Sequence, residues 1–492
     1  MGHLINETNF QNKRYDYDAI LLRYGEVGLK SQRKRPYFEK LYVNAIKEAL
    51  KRNNVDFDYL ENAGGRFILS TKNVDDALNI LKEVPGIQSI SPAKTILFNN
   101  KSELLKNSFF QSKDLIEKKI FRVTVRRTGK HEFTSMNFAK ELGELLHPFS
   151  KGVSLKNPEI NIQIEIRNNK AYLFTKSIKC LDGMPSSSSG KAICLFSGGI
   201  DSPVAAFQML KRGVALDYLY IDLSGKLVSM KNIVALYNHL TSKFSFNYKP
   251  KFYLINGQKI IEEITKNVPS SFRQLALKIV FYKLAEFFVI KKNYSSFVTG
   301  ESIAQKSSQT LSSLSFINSQ INSLVIRPLI SMDKLEISSI AEKIGTFGAS
   351  QFVKEFCDLS EGKAVTASPL MKDLKQIPSF DTLIENLFNS SKCFKSIIDD
   401  SVFKEENVKI NGGVISIDVR LPSKSNFDIL DTDKKIAYSN LLFSLDELDS
   451  SKKYLFVCEY GVQSKSLVYA CEQRNILAFA MSKQEFKFWK NK

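Results

Sequence analysis

The 492-residue chain is poor in the residues that staple or ligate, with six cysteines, four histidines and one tryptophan. No two cysteines form a C-x-x-C pair, which excludes a disulfide framework and the usual zinc-finger spacings. No run of about 18 apolar residues occurs, so no membrane span is read. No charged segment followed by an apolar core opens the sequence, and a cytoplasmic location is expected. Hydrophobic residues at 43% and charged residues at 25% match globular usage, which removes the disordered and fibrous classes. At roughly 150 residues per domain, the length predicts about three domains.

Acidic residues are the scarcer sign. Lys and Arg number 70 against 51 Asp and Glu, a net charge of +19. Residues 1–190 carry 31 basic and 21 acidic side chains, residues 191–390 carry 23 and 16, and residues 391–492 carry 16 and 14. An excess confined to the first two-thirds predicts a polyanionic partner there, with lysine-rich codon usage as the alternative reading.

Ser186-Ser187-Ser188-Ser189-Gly190 is the clearest low-complexity break and reads as a flexible joint. Before it, helical stripes such as Phe38–Arg52 alternate with period-two strands such as Phe121–Arg127 and Ile160–Asn168, as in small α+β units. After it, a continuous apolar strand (Ala192–Phe196), a Gly-rich turn, a helix and a second buried strand (Ala215–Leu223) form a βαβ unit, which predicts a parallel sheet. A last small unit begins near residue 390, with strands at Gly413–Arg420 and Tyr454–Gly461 and a helix from about Ser464.

The turn Ser197-Gly198-Gly199-Ile200-Asp201-Ser202 joins the buried strand to the helix start. Glycines let the backbone approach an anion, the unpaired N–H groups of the helix start bind it, and Ser197 and Ser202 add hydroxyls. Asp201 can hold Mg²⁺ against phosphates. A tight turn with Asp201 and Ser202 as a helix cap is the alternative. Neither G-x-x-x-x-G-K-[ST] nor G-x-G-x-x-G occurs, which excludes the two commonest phosphate loops.

The string SGGIDS resembles the PP-loop of ATP pyrophosphatases, which cleave ATP between its α and β phosphates and adenylate an oxygen of their substrate. Three further stretches narrow the resemblance to the tRNA 4-thiouridine synthases: Val298–Leu311 (VTGESIAQKSSQTL), Val325–Ile337 (VIRPLISMDKLEI) and the opening Leu21–Leu41. Glu83–Ala93 and Phe121–Ser135 resemble the THUMP domain of the same enzymes. The resemblance implies four domains: ferredoxin-like (1–72), THUMP (73–180), PP-loop (190–385) and rhodanese-like (400–492). The fold class is thus multidomain α/β and α+β, with a doubly wound parallel sheet in the third domain and an α/β fourth. It also implies an ATP- and Mg²⁺-dependent transferase that thiolates uridine 8 of tRNA, with no metal site of its own. By resemblance the nucleotide pocket comprises Leu195, Phe196, Ser197, Gly198, Gly199, Asp201, Ser202, Gly300 and Gln309, and Lys334 assists adenylation. Tyr220-Ile221 stands where His-Phe is usual, and Lys278 replaces a usual arginine, losing its bidentate fork.

Cys458 closes an apolar strand ahead of a helix, so the loop from Glu459 to Ser464 aims backbone N–H groups at its sulfur, an arrangement that stabilises a thiolate or persulfide anion. The loop resembles that of rhodaneses, with Tyr460 in place of the usual basic residue. The resemblance implies that a cysteine desulfurase charges Cys458, that Cys357 forms a disulfide with it during turnover, and that a cellular reductant reopens the bond. A thiamine sulfur-carrier protein is a possible further acceptor. Two alternatives remain: sulfur donation to thiazole synthesis, and an RNA-binding sulfur carrier with a degenerate ATP site. The basic runs Arg33-Lys34-Arg35 and Arg122, Arg126, Arg127 and Lys130 are the expected tRNA contacts.

Overall fold

The computed structural model describes residues 16–223, 228–305, 309–350, 377–399, 413–420, 430–436, 441, 444–458, 464, 467–468, 471 and 474–490. They fall into two compact units, one containing the chain to about residue 398 and the other built mainly from residues 399–492.

In the first unit, β1 (Ala19–Tyr24), β2 (Tyr59–Asn62) and β3 (Phe67–Ser70) pair antiparallel and pack against α1 (Arg35–Arg52) and α2 (Val74–Leu81). Helix α1 begins before the periodic stripe does, because Pro36 occupies the first turn, where its missing N–H costs nothing. Its buried residues Tyr42, Ala45, Ile46, Ala49 and Leu50 recur at helical spacing against Leu22, Phe67 and Leu69.

Strand β4 (Ile87–Leu97) pairs with β1 through its first part and continues to pair with β8 (Lys170–Phe174). It thereby fuses the first sheet to β5 (Ile120–Thr128), β6 (Gly152–Val153), β7 (Ile160–Arg167) and β8 in one nine-stranded sheet, with β9 (Ile178–Lys179) added to β4. Helices α3 (Lys101–Ile116) and α4 (Ser135–Leu146) cover β5 and β7 around Leu104, Phe121, Phe138 and Ile164. The boundary expected at residue 72 therefore shifts into β4, because Val74, Ala77, Leu81 and Ile90 pack in the first core.

The serine run is no flexible joint. Ser186 is buried, and its Oγ accepts a hydrogen bond from the Phe246 N–H at 3.0 Å. Ser187 Oγ donates to the Phe246 carbonyl at 2.9 Å, and Asn247 Nδ2 donates to the Ser186 carbonyl at 3.1 Å. Composition signals flexibility, but short hydroxyl side chains also satisfy a buried loop's backbone, and here the second role prevails.

A parallel sheet follows in the order β14 (Val325–Ile326), β13 (Ser296–Val298), β10 (Lys191–Leu195), β11 (Ala215–Asp222) and β12 (Lys251–Asn256). The antiparallel strand β15 (Lys392–Lys395) closes one edge. Alternation along the strands separates the faces. Ile193, Leu219, Tyr253 and Phe297 join the core of α7 (Gln258–Asn267), α8 (Arg273–Lys292) and α9 (Leu311–Ser319), whereas α5 (Asp201–Lys211) packs beside α10 (Lys334–Ile344); α6 (Val228–Phe244) lies between β11 and β12 in the chain. The first and third domains are locked together directly. Phe246 is buried in the first core, and the Arg52 guanidinium lies 4.8 Å above its ring and donates to the carbonyls of Thr241, Ser242 and Ser245 at 2.8–3.1 Å.

The second unit contains a parallel sheet ordered β17 (Lys434–Lys435), β16 (Val414–Asp418), β18 (Lys453–Cys458) and β19 (Ala478–Ser482). Its core includes Ile417, Phe456, Leu467 and Cys471.

Candidate active site

Strand β10 lies between β11 and β13, so chain direction across the sheet reverses at its carboxyl end, where open α/β sheets bind ligands. The loop Phe196–Ile200 leaves from this point. Helix α5 has no side-chain cap and Ile200 is already helical (φ −65°, ψ −34°), so the capping alternative fails and the first N–H groups are left for an anion. Ser202 shapes the loop from within, its Oγ accepting from the Ser197 N–H and donating to the Ser197 carbonyl, both at 2.8 Å. Its hydroxyl also lies 3.1 Å from Ser197 Oγ.

Gly300 approaches the same helix start. A Cβ built there would lie 2.8 Å from Asp201 C and Ser202 N, so no side chain is accommodated. Leu195, Phe196, Tyr220, Ile221, Phe281 and Tyr282 wall a cavity of about 160 Å³, and Lys278, Glu301 and Gln309 line it also. That is below the roughly 300–1,000 Å³ typical of ligand pockets, so the cavity encloses a group smaller than a whole nucleotide. Gln309 is 4% exposed, and its Oε1 has no hydrogen-bond partner among the described residues. A buried amide oxygen left open in this way fits a ligand donor.

Asp201 stands at the first position of α5. Lys334 Nζ reaches its Oδ1 at 2.6 Å and Gln305 Nε2 its Oδ2 at 3.1 Å. Lys334 opens α10, whose start is fixed by a reciprocal capping box between Asp333 and Glu336. The pair joins two residues 133 apart in sequence at the mouth of the pocket.

Beneath them, Glu301 is 2% exposed and accepts from Tyr282 Oη, from Thr299 Oγ1 and Arg327 Nε at 3.1 Å, and from Lys278 Nζ at 3.3 Å. Burial pushes its carboxyl up, but Lys278, Tyr282 and Arg327 outweigh it and hold the group below the ordinary carboxylate range. Lysine at 278 thus meets Glu301 on the pocket wall through a single hydrogen bond. Glu301, Gln305, Arg327 and Tyr282 were missed as functional residues, although Glu301, Gln305 and Arg327 lie inside the strings TGES, SIAQ and VIRP. A buried acid following the site glycine was the signal.

In the second unit, Cys458 ends β18 and is 2% exposed. The Ser464 N–H and Oγ each lie 3.4 Å from its sulfur, and Ser464 Oγ also donates to the Met481 carbonyl. A buried pair at the same sheet edge was not foreseen: Arg420 donates to both Asp418 oxygens, at 2.9 and 2.8 Å, and Asp418 is in register with Val457. Cys357 and Tyr460 lie outside the described residues. Burial pushes the Cys180 thiol up to about 12 and moves Cys194 well above the ordinary thiol range, so neither supplies a thiolate. Cys393 lies exposed on the edge strand β15.

The basic runs divide by role. Arg33, Lys34, Arg126 and Lys130 are exposed. Arg35 instead donates to the Gly28 and Lys30 carbonyls, Arg122 to the Leu155 carbonyl at 3.0 Å, and Arg127 to the His131 carbonyl at 3.2 Å, so these three brace loops. Among the described residues no group of three or more potential metal-ligating side chains occurs, and no helix is long and apolar enough to cross a membrane.

Residues 187–380 match the family described as Thiamine biosynthesis protein (ThiI), residues 19–91 the ThiI ferredoxin-like domain, and residues 97–176 the THUMP domain. A tRNA sulfurtransferase of Desulfurococcus amylolyticus is 33% identical over 80% of this chain and 83% of its own length. One of Thermoplasma volcanium is 32% identical over 94% and 95%, so its similarity extends into the last unit. A probable tRNA sulfurtransferase of Saccharolobus solfataricus is 37% identical over 98% of its own length but only 76% of this chain, so part of this chain has no counterpart there. A crystal structure of a 4-thiouridine synthetase–RNA complex with bound ATP superposes with a TM-score of 0.65, at 28% identity, over 77% of this chain and all of that one. With these identities over these lengths, the chain belongs to the tRNA sulfurtransferase family.

Proposed function

We propose that this protein makes 4-thiouridine at position 8 of tRNA, using ATP to activate the uridine and Cys458 to carry the sulfur. The observation that supports it best is the uncapped loop at the sheet's switch point with the Asp201–Lys334 pair at its mouth. ATP seats its base in the pocket walled by Phe196, Tyr220 and Ile221 and its phosphates over Ser197–Ser202. Mg²⁺ needs one or two carboxylates plus phosphate oxygens, and Asp201 fits that need, with Lys334 then free to face the phosphates. Uridine O4 attacks the α-phosphate and pyrophosphate leaves, while cationic Lys334 and Lys278 offset the developing negative charge.

Sulfur arrives on Cys458 as a persulfide from a cysteine desulfurase. The terminal sulfur forms a bond to C4, and the C4–O4 bond breaks as AMP departs. The Cys357 thiolate then attacks Cys458 Sγ, a Cys357–Cys458 disulfide forms, and the sulfur remains on C4 as the thiocarbonyl. A dithiol reductant restores both thiols. Sulfur delivery to thiazole is a second product, favoured by the description of the family matched at residues 187–380.

Measuring tRNA-dependent pyrophosphate release and tRNA nucleosides by mass spectrometry separates the two halves. Asp201→Asn should lose both signals. Cys458→Ser should keep pyrophosphate release and lose 4-thiouridine; full thiolation by that variant would overturn the sulfur-carrier role.

A further inference from the structure

Asp201 is held from two sides at the mouth of the pocket. Lys334 Nζ meets its Oδ1 at 2.6 Å, and Gln305 Nε2 donates to its Oδ2 at 3.1 Å. An ionised carboxylate only accepts, so this contact fixes which way the amide lies: its NH₂ faces Asp201 and its oxygen is turned elsewhere. Gln305 Oε1 is buried and has no hydrogen-bond partner among the described residues. The backbone around it is fixed, with Ser302 Oγ donating to the Met332 carbonyl at 2.7 Å, the Ile303 N–H to the Ile330 carbonyl at 3.1 Å and the Ala304 N–H to the Gln309 carbonyl at 3.0 Å. These bonds hold Ala304 in the left-handed region (φ +61°), which a residue with a Cβ rarely adopts.

Two amide oxygens thus stand open close together in the chain, in different surroundings. Gln309 lines the cavity with Tyr220, Ile221 and Lys278. Gln305 is instead anchored on Asp201, where under the proposed function uridine O4 must come up to the phosphates. Large apolar side chains are exposed beside both: Ile303 two residues before Gln305, Leu311 two after Gln309, and Leu335 next to Lys334. Enzymes that work on a base take it out of its stack, read its edge by hydrogen bonds and hold its faces on apolar side chains. Gln305 is half-buried and its terminal torsion is soft, so a small rotation brings Oε1 to an entering base.

We propose that Gln305 recognises the target base, its Oε1 accepting the N3–H of uracil and so directing the neighbouring O4 toward the α-phosphate. The inference rests on the tRNA-modifying function proposed above. Uracil carries a donor at N3, next to the carbon that bears O4. Cytosine carries a bare acceptor nitrogen there, so two acceptors would confront each other and that base is refused. The open oxygen of Gln309 is left for a donor of the nucleotide.

The test measures pyrophosphate release by the full chain with tRNA carrying uridine or 3-deazauridine at position 8, the analogue having C–H in place of N3–H. Wild type should prefer uridine in kcat/KM for tRNA. That preference should shrink about tenfold in Gln305→Met and in Gln305→Ala, the worth of one hydrogen bond, while KM for ATP stays near wild type. Comparing the ratio of the two substrates cancels the analogue's own reactivity and any general slowing of a variant. Gln305→Glu keeps an acceptor oxygen and should keep the wild-type ratio, even where repulsion from Asp201 slows it. The same ratio in wild type, Gln305→Met and Gln305→Ala would overturn the proposal. A raised KM for ATP with an unchanged ratio would overturn it too, by assigning the open oxygen to the nucleotide. A wild-type chain that releases no pyrophosphate with either tRNA would overturn the functional reading, and this inference with it.

Discussion

Replacing Gly300 by alanine tests the site at the point of closest backbone approach. The new methyl would meet Asp201 C and Ser202 N at 2.8 Å and Ser202 Cα at 3.0 Å, all backbone atoms of the helix start. Ordinary contact begins at 3.4 Å, so the phosphate loop and β13 must separate by the difference, about 0.6 Å. No flexible side chain is available to absorb this movement. Overpacking of this kind costs about 1–3 kcal/mol of stability. A misplacement of about 1 Å costs about 100-fold in rate, so 0.6 Å corresponds to roughly a tenfold loss in kcat/KM for ATP. Pyrophosphate release at subsaturating ATP reads the kinetic effect, and a thermal melt reads the stability. Gly143→Ala is the control, since a Cβ there meets nothing within 4 Å on helix α4, and it should stabilise by up to about 1 kcal/mol. Wild-type kcat/KM in Gly300→Ala would refute the close-approach argument, because the methyl cannot be added without displacing the cradle.

Two further outcomes follow from the packing around the site. The Glu301 carboxyl titrates lower in the folded chain than in the unfolded one, so its contribution is fully present above the unfolded value and is lost as pH falls through the folded one. Glu301→Gln should therefore melt below wild type near neutral pH, with the gap closing below the ordinary carboxylate range in pH-dependent calorimetry. Arg52→Ala removes donors from the carbonyls of Thr241, Ser242 and Ser245 and should cost about 1–3 kcal/mol in a denaturant titration, with loss of 4-thiouridine exceeding loss of ATP affinity.

The ATP site was legible where chemistry is local. A buried strand, two glycines and a helix start within a dozen residues announce a phosphate loop, and the loop lies at the reversal of the sheet. What the sequence hid is long-range. Lys278 and Arg327 lie 49 residues apart with Tyr282 and Glu301 between them, and nothing in their spacing indicates that three donors meet one acid. Serines 186 and 187 were misread for a related reason: their role depends on Phe246, which lies 59 to 60 residues away. The basic runs show the opposite failure, since Arg35, Arg122 and Arg127 satisfy nearby carbonyls and leave only part of each run facing solvent. Alternation alone shows small α+β units before residue 186, and only the resemblance identifies them as ferredoxin-like and THUMP; their boundary escapes both, because β4 runs on unbroken from one set of strand partners to the next.

Under the proposed function, these long-range contacts bear on how one uridine is chosen. Strand β4 makes the two N-terminal domains one sheet, and Arg52, Phe246 and the Ser186–Ser187 bonds fix that sheet to the domain holding Asp201 and Lys334. A hinge anywhere along this path would let the ATP loop sample several nucleotides of a docked RNA. The buried contacts oppose such a hinge, since opening it would strand carbonyls and a guanidinium away from their partners. Under the proposed function, the distance from the RNA-facing arginines to the pocket then acts as a ruler. Phosphate contacts set where the RNA lies, and the fixed scaffold decides which base reaches the loop. Selection by distance asks nothing of the identity of neighbouring bases, which suits the proposed modification of one position in RNAs of different sequence.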